Sequence, residues 1–286
     1  MRVQTVSSGA DSGANEDVVA FHEAAGRLDL LVIDGGTSVA ERDYIDPERG
    51  DVVWFAQGFA DQLARYAHMG LPQHECVHRA AASLHEEFLE RAGGAEVPLH
   101  AWPIGAMTWA RIEDAGQGRR LRLYSLGDCT TLLCTPDAGV VDLDPFVNPQ
   151  EAVLQAEIAR LVAEGVTDAA QRRARLLPML RARREAQNSG PSPSILCLKP
   201  AGPFAARTID IALPPGSSLL VTTDGFYRLV SPYGLYTSEE LALRCLGLGL
   251  GAVLDELRAY ERASFGGAAL AVKRADDASA ILWQHH

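Results

Sequence analysis

Short apolar segments in this chain repeatedly adjoin acidic residues, and this pattern restricts how the chain folds. Asp34 directly follows the run LLVI, Asp224 follows LLVTT, and Asp276 stands with Asp277 just before ASAILW. Runs of this kind, rich in branched aliphatic side chains, are typical of buried strands. A lone carboxylate at the end of a buried strand is costly, so such groups are usually paired, hydrogen-bonded or bound to a cation. The pattern therefore indicates a cation-binding site formed by strand ends.

Two further acidic motifs share this context. The segment LYSLGDC places Asp128 between two predicted strands, and NED places Glu16 and Asp17 just before another strand. Each motif alone has a plainer interpretation, because Asp-Gly is most often a turn and an acidic motif such as NED is often a helix cap. Their order and their shared position at strand ends favour a common role.

The chemistry of such a cluster favours divalent cations. Several carboxylates that converge repel one another unless a cation lies between them, and Mg²⁺ and Mn²⁺ prefer oxygen ligands. Two such ions roughly 4 Å apart can activate a water molecule for attack on phosphorus and neutralise the charge that develops on the phosphoryl oxygens. A glycine after Asp34 permits close backbone approach, so the Gly35 carbonyl is a further candidate ligand.

Hydrophobic periodicity predicts strands at both ends and in the middle of the chain, with helices between them. The predicted strands are Val18–His22, Leu28–Ile33, Ile104–Ile112, Leu121–Leu126, Thr131–Cys134, Ser194–Leu198, Ala206–Leu213, Ser218–Thr223 and Ala278–Trp283. The predicted helices are Trp54–His68, Glu75–Arg91, Glu151–Val162, Asp168–Ala186, Ser238–Cys245 and Ala252–Ser264, with a break at the run GLGLG. The sequence shows no repeat or clear linker, so we expect residues 1–286 to form one α+β domain with antiparallel sheets and outer helices.

The amino-acid composition limits the cellular environment and the binding partners that we expect for this protein. The chain has 26 basic and 37 acidic residues, a formal net charge of -11, which opposes nucleic-acid binding. Its 5 cysteines form no CxxC pair, so neither a disulfide framework nor a zinc site is predicted. No apolar stretch approaches the roughly 20 residues of a membrane span. We therefore expect a soluble, cytoplasmic protein that binds neither nucleic acid nor membranes.

The order of the acidic motifs resembles that of a known family. NED, DG after an apolar strand, GD, a second strand followed by DG, and DD-x-S before a last strand occur in this order from Asn15 to Trp283. This arrangement is similar to the metal-dependent protein phosphatases of type 2C (the PPM family), and most similar to bacterial members. The resemblance implies a four-layer αββα sandwich of two antiparallel sheets flanked by helices. It also implies a phosphoserine/phosphothreonine phosphatase that acts on phosphorylated proteins, with a cognate Ser/Thr kinase as partner.

The resemblance implies a binuclear Mg²⁺ or Mn²⁺ centre built from specific residues. Asp34 corresponds to the aspartate that bridges both ions, and Gly35 to the residue whose carbonyl binds one of them. Asp224 and Asp276 correspond to the remaining direct ligands, so the resemblance makes Asp34, Asp224 and Asp276 the catalytic centre.

Three other acidic residues have implied roles around this centre. Glu16 corresponds to an acidic residue that reaches a metal through water, and Asp128 to the ligand of a third ion in some members. Asp277 stands where the family usually has asparagine, which suggests that it supports the ligands and does not bind metal directly.

The chain also departs from the family pattern. Ser12 stands where the resemblance implies a phosphate-binding arginine, and a hydroxyl lacks the two-pronged guanidinium geometry that matches a phosphate. The usual GDSR run is GDCT here, and the DPFVNPQ segment after Asp144, predicted to form a flap, lacks the common histidine. These departures support an alternative hypothesis, a non-catalytic regulatory domain that keeps the phosphatase fold. A third hypothesis is a phosphatase for a small phosphorylated metabolite.

Several other features have ordinary structural interpretations. Cys129 adjoins Asp128 but has no partner histidine in the sequence, so a buried, unreactive thiol is expected. His74 and His78 lie four residues apart on a predicted helix without a metalloprotease motif, which indicates surface or core packing. The clusters RRAR and RARRE within residues 168–186 are interpreted as a solvated helix face.

Overall fold

Short runs of apolar residues build two antiparallel sheets that stack face to face. The computed structural model describes residues 1–10, 14–116, 118–263 and 275–285. Its strands are β1 (Arg2–Ser8), β2 (Val18–Ala24), β3 (Arg27–Gly35), β4 (Ile104–Ala115), β5 (Gly118–Leu126), β6 (Thr130–Thr135), β7 (Gly139–Asp142), β8 (Leu196–Cys197), β9 (Arg207–Leu213), β10 (Ser218–Thr222) and β11 (Ala278–Gln284). Its helices are α1 (Asp51–His68), α2 (Gln73–Ala92), α3 (Pro149–Ala163), α4 (Ala169–Ser189), α5 (Asp224–Tyr227), α6 (Ser238–Leu248) and α7 (Leu250–Ala263), with a short 3-10 helix at Leu99–Ala101.

The strands divide into two sheets with antiparallel pairing throughout their described residues. Sheet A has the order β1-β11-β10-β6-β7, and sheet B has the order β2-β3-β4-β5-β9, with β8 also paired to β4. The last strand, β11, is internal to sheet A. Its Gln284 lies opposite Arg2 of β1 on one side and opposite Ser218 of β10 on the other.

Strand β3 illustrates how sheet B is buried on both faces. Leu30 and Val32 belong to the apolar layer between the two sheets, where they join Trp283 of β11. Leu31 and Ile33 belong instead to the core that sheet B shares with α1 and α2. Because successive strand residues point to opposite faces, burial on both sides requires an uninterrupted apolar run. The run LLVI meets this requirement.

The outer face of sheet A is covered in the same way. Leu220 of β10 and Leu282 of β11 pack in one cluster with Leu241 of α6 and with Val253 and Leu257 of α7. The layers are therefore α1 and α2, sheet B, sheet A, and then α6 with α7. This arrangement confirms the predicted four-layer αββα sandwich of the α+β class.

Most predicted strands and helices are present, although their ends differ by a few residues. The sequence did not predict β1, β7 or α5. Strand β1 lies at the edge of sheet A and none of its residues is fully buried, so its hydrophobic signal is weak. Helix α5 has only 4 residues. The predicted break at GLGLG is confirmed, because α6 ends at Leu248 and α7 begins at Leu250.

Helices α3 and α4 form a smaller unit beside the sandwich. They share an apolar cluster of Ile158, Leu161, Val166 and Leu176. This pair begins within the DPFVNPQ segment, at Pro149. Helix α4 runs past the loop after β3 and brings several arginines close to the end of that strand. None of the helices in the described ranges combines the length and apolar character that crossing a membrane requires.

Candidate active site at the sheet ends

The predicted acidic residues lie at one end of the two stacked sheets. Asp34 is the penultimate residue of β3 in sheet B, while Asp224 follows β10 in sheet A. Asp276 precedes β11, and Asp128 lies between β5 of sheet B and β6 of sheet A. Since neighbouring strands are antiparallel, the end of one strand and the start of the next meet at the same edge. The site thus draws residues from both sheets.

Asp34 and Asp224 form the centre of this cluster. Their carboxyl groups share a hydrogen bond, which Asp34 donates. Desolvation raises the pKa of Asp34 well above its usual range, and the charges of Asp224, Asp17 and Asp128 raise it further. The residue Asp224 is partly exposed to solvent, but many protein atoms surround its carboxyl group. This desolvation, with repulsion from Asp128 and Asp276, raises the pKa of Asp224 to about 6.

Asp17 is a buried member of the cluster to which the sequence reasoning assigned no role. It is 7% exposed, and burial raises its pKa to about 7. The Thr223 hydroxyl donates a 3.0 Å hydrogen bond to Asp17 Oδ2, and the Ser279 backbone N–H donates to the same hydroxyl at 3.0 Å. Thr223 directly precedes Asp224, so this chain of bonds ties the start of β2 to sheet A. The sequence feature that could have identified Asp17 was its position next to Glu16 in the NED motif.

Glu16 and Asp277 connect the NED segment to the start of β11. The Glu16 backbone N–H donates to Asp277 Oδ2 at 2.6 Å, and the Ala10 N–H donates to Asp277 Oδ1 at 2.8 Å. Asp277 therefore uses both carboxylate oxygens to hold the backbone on either side of residues 11–13. The Glu16 carbonyl oxygen also lies beside the end of β3.

Two glycines permit these segments to approach closely. A Cβ atom on Gly35 would lie 2.5 Å from the Glu16 carbonyl oxygen, and one on Gly225 would lie 1.8 Å from the Asp277 carbonyl oxygen. Real Cβ atoms do not approach backbone oxygens so closely, so any other residue at either position would push the strand ends apart. The glycines that follow Asp34 and Asp224 are therefore required by packing.

Two arginines stabilise the loop that carries Asp276. Arg228 Nη1 lies 3.7 Å from Asp276 Oδ2. Arg258 of α7 donates to the Asp276 carbonyl oxygen at 2.9 Å and to the Ser8 carbonyl oxygen at 2.6 Å. Arg258 also pairs with Glu261 at 2.7 Å. Helix α7 thus anchors both the end of β1 and the residue before Asp277.

Asp128 is linked to the segment that the sequence predicted to form a flap. Asn148 Nδ2 donates to Asp128 Oδ2 at 3.3 Å, and Arg183 of α4 donates to Asn148 Oδ1 at 3.2 Å. Asn148 also caps the N-terminus of α3 through its side chain. The sequence shows that this segment lacks the family's common histidine, but it gives no sign that Asn148 would contact Asp128.

The basic clusters of helix α4 were predicted to form a solvated face, and this prediction is wrong for Arg184. Arg184 is only 7% exposed and donates to the carbonyl oxygens of Gly36 at 3.4 Å and Thr37 at 3.0 Å. Burial lowers its pKa to about 10, while the charge of nearby Glu16 raises it. Arg181 donates to the Val39 carbonyl oxygen at 2.9 Å. Helix α4 is therefore fastened to the loop that follows Asp34.

The predicted character of Cys129 is confirmed. The residue is 2% exposed, and burial, with repulsion from Asp34 and Asp128, raises the pKa of its thiol well above the usual range. A thiol attacks as the thiolate, which this environment disfavours. Cys129 therefore packs beside the acidic cluster as a neutral group.

The carboxyl oxygen atoms of the acidic cluster are of the chemical type that binds hard divalent cations. Across residues 1–10, 14–116, 118–263 and 275–285, no group of three or more His, Cys, Asp or Glu side chains is arranged to hold a metal ion. Asp34 and Asp224 instead hydrogen-bond to each other. The acidic side chains that converge at the centre supply oxygen, and burial together with mutual repulsion raises the pKa values of Asp17, Asp34 and Asp224, so their negative charge is costly without a cation. Mg²⁺ and Mn²⁺ favour such ligands. Ser12 lies outside the described residues.

Comparison with known proteins supports the fold. No protein-family model and no curated protein matches the chain. The serine/threonine phosphatase PstP/Ppp of Mycobacterium tuberculosis is 18% identical, with 100% of this chain and 99% of that chain covered and a TM-score of 0.52. Stp1 from Staphylococcus aureus is 12% identical, with 100% and 95% covered and a TM-score of 0.52. RsbX in complex with magnesium is 13% identical, with 99% and 94% covered and a TM-score of 0.54.

These structures define the class of fold to which the chain conforms. It has the fold of the type 2C serine/threonine phosphatases over its whole described length. The resemblance inferred from the order of acidic motifs is therefore confirmed at the level of the fold.

Proposed function

We propose that this protein is a metal-dependent phosphatase that removes phosphate from phosphoserine or phosphothreonine in proteins. The observation that carries the proposal is the hydrogen-bonded pair Asp34 and Asp224, which joins the end of sheet B to the end of sheet A within a crowd of other carboxylates. Structural packing alone does not require so many acids of one sign at one place. A cluster of this kind suits a site for divalent cations and for a phosphoryl group held by them.

The proposed metal ligands are those that the family resemblance implies. Asp34, Asp224 and Asp276, with the Gly35 carbonyl, would hold two Mg²⁺ or Mn²⁺ ions. Glu16 would reach one of them through water, and Asp128 would serve a third ion. When bound, these ions would lower the pKa of a water molecule and neutralise the charge of the phosphoryl oxygens.

Other residues of the chain would keep this centre in place. Thr223 holds Asp17 at the back of the cluster, and Asp277 holds the backbone of Glu16. The hydrogen bond from Asn148 orients Asp128. Such bonds fix the direction of carboxylate oxygens, a condition for tight metal binding.

The substrate and the setting are part of the same proposal. A phosphorylated protein as substrate is supported by the serine/threonine phosphatases that share the fold, and a cognate Ser/Thr kinase would supply that substrate. A cytoplasmic location is supported by the five cysteines, all of which are free and buried. We further propose that residues 1–286 act as one phosphatase domain, because the proposed ligands come from both ends of the chain.

Hydrolysis of a phosphothreonine peptide with Mn²⁺ tests the proposal. We expect turnover by the wild type, and a loss of roughly 100-fold or more for Asp34→Asn, since one charged ligand of both ions is removed. Asp255→Asn, an exposed change on α7, is the matched control and should keep full activity. Equal rates for wild type and Asp34→Asn would refute the site assignment. Mn²⁺ binding without turnover on a phosphopeptide panel would support the regulatory alternative, and turnover confined to small phosphorylated metabolites would support the third hypothesis.

A further inference from the structure

Arg184 is a buried cation at the edge of the acidic cluster. Its Nη2 contacts are the carbonyl oxygens of Gly36 and Thr37, and its Nε is buried without a hydrogen-bond partner. The two hydrogen bonds that Arg184 makes within the described residues both go to backbone carbonyl oxygens, which carry no formal charge. These two contacts thus leave the buried Nε atom of the guanidinium group without a hydrogen-bond partner.

This arrangement is costly unless an anion joins it. Burying a charged side chain costs free energy, and the usual compensation is a paired opposite charge. Glu16 acts on Arg184 through its charge, whereas the two hydrogen bonds of Arg184 within the described residues go to carbonyl oxygens. The guanidinium group offers several N–H donors in a fixed plane, a geometry that matches a carboxylate or a phosphate.

The position of Arg184 identifies the anion class. A Cβ atom on Gly36 would lie 3.4 Å from Arg184 Nη2, so the guanidinium group borders the peptide that follows Asp34 and Gly35. A phosphoryl group held at the proposed metal ligands Asp34 and Gly35 would lie beside this cation. Either a carboxylate or a phosphoryl group would meet repulsion from the cluster without cations, and the proposed phosphatase function makes the phosphoryl group the anion expected there.

We propose that Arg184, on helix α4, binds the phosphoryl group of the substrate at the candidate active site. The inference deepens the proposed function and rests on it for the identity of the substrate. Arg184 would donate hydrogen bonds to phosphoryl oxygens that face away from the metal ions, and would thereby raise substrate affinity. Helix α4, which the sequence analysis interpreted as a solvated surface, would then supply part of the binding site.

A plainer role for Arg184 is to tie α4 to the loop after β3, and the chain offers a matched control for it. Arg181 lies on the same helix, donates to the Val39 carbonyl oxygen of the same loop at 2.9 Å and pairs with Glu41 at 2.9 Å. Arg181→Gln removes a tie of the same kind without touching the cluster. A purely structural role predicts similar losses for Arg181→Gln and Arg184→Gln.

Calorimetric binding of inorganic phosphate to the Mn²⁺-loaded protein tests the proposal directly. We expect Arg184→Gln to weaken phosphate binding roughly 10-fold to 100-fold, the usual effect of losing a charged hydrogen-bond donor. Arg184→Lys should be intermediate, because it keeps the charge but loses the planar pair of donors. Arg181→Gln should bind phosphate like the wild type. All variants should keep the wild-type affinity for Mn²⁺, and Arg184→Gln should raise KM for a phosphopeptide more than it lowers kcat.

Several outcomes would overturn the inference. These are phosphate binding by Arg184→Gln as tight as the wild type's, an equal loss in Arg181→Gln, a fall in Mn²⁺ affinity in Arg184→Gln, and no phosphate binding by the wild type. A different result would refute the proposed phosphatase function without refuting the role of Arg184. A wild type that hydrolyses no phosphopeptide but binds phosphate through Arg184 would refute the phosphatase activity and support the anion site.

Discussion

At the scale of single residues, the buried acid Asp17 makes stability depend on pH. Its pKa is raised to about 7 in the folded protein, whereas an aspartate in an unfolded chain titrates near 3.9. The folded state therefore binds more protons than the unfolded state between these values. Stability of the metal-free protein should consequently fall as the pH rises from about 4 to about 7, by up to about 4 kcal/mol from this residue.

Replacing Asp17 by asparagine removes this dependence on protonation. With EDTA present, we expect Asp17→Asn to raise the midpoint of thermal unfolding at pH 7.5 by roughly 5 °C or more and to change it little at pH 4.5. Thermal unfolding monitored by circular dichroism at both pH values measures this. Asp255→Asn on the exposed side of α7 should leave the pH profile unchanged. A variant that is less stable than the wild type at pH 7.5 would contradict the prediction.

Some residues of the candidate site can be predicted from the sequence and others cannot, for a physical reason. Asp34, Asp224 and Asp276 follow or precede long apolar runs, so their place at strand ends was readable. The burial of Arg184 could not be predicted, because a cluster of arginines in the sequence does not show which member points inward. Its burial depends on where α4 meets the loop after β3, and that contact joins residues 147 positions apart.

At the scale of secondary structure, helix α7 contributes to the site through one side chain. Arg258 contacts the Ser8 and Asp276 carbonyl oxygens, which lie in β1 and in the loop before β11. Arg258→Met keeps the apolar stem and removes these bonds. We expect unfolding to become easier by about 2 kcal/mol and Mn²⁺ affinity to fall roughly 10-fold, since Asp276 loses its support.

Urea unfolding and Mn²⁺ titration check this prediction. Arg262→Met, an exposed change on the same helix, is the control for losing a charge from α7 and should alter neither quantity appreciably. If Arg258→Met loses stability but keeps full Mn²⁺ affinity, α7 supports the fold without supporting the proposed site.

The elements themselves could be predicted where their burial is high. Strands β3 and β10 are buried on both faces and were recognisable as apolar runs. Strand β1 was not, because its residues are exposed or partly buried and its partner β11 lies at the other end of the sequence. Local patterns do not show such long-range pairing, and tertiary contacts decide it.

At the scale of the whole molecule, the proposed metal centre would join the two sheets. Asp34 belongs to sheet B, and Asp224 and Asp276 adjoin strands of sheet A. A ligand that binds only the folded state at about 100 times its Kd stabilises that state by about 2.7 kcal/mol. We therefore expect saturating Mn²⁺ to raise the thermal midpoint by roughly 5 to 10 °C relative to EDTA.

Asp34→Asn is the informative variant for this prediction, since it removes the ligand that sheet B supplies. Its midpoint should not respond to Mn²⁺, whereas Arg181→Gln should show the wild-type response. Differential scanning fluorimetry with and without Mn²⁺ measures both. An undiminished Mn²⁺ response in Asp34→Asn would show that the stabilising ion binds elsewhere.

The position of β11 has a consequence for how the protein is made. This strand lies between β1 and β10, yet it is completed only at Gln284, so a nascent chain on the ribosome lacks an internal strand of sheet A. Sheet B and helices α1 and α2 come from earlier residues, but a domain generally folds as a unit. Because Asp276 and Asp277 follow the other acidic residues of the cluster in the sequence, the cluster cannot assemble before these two residues have been synthesised.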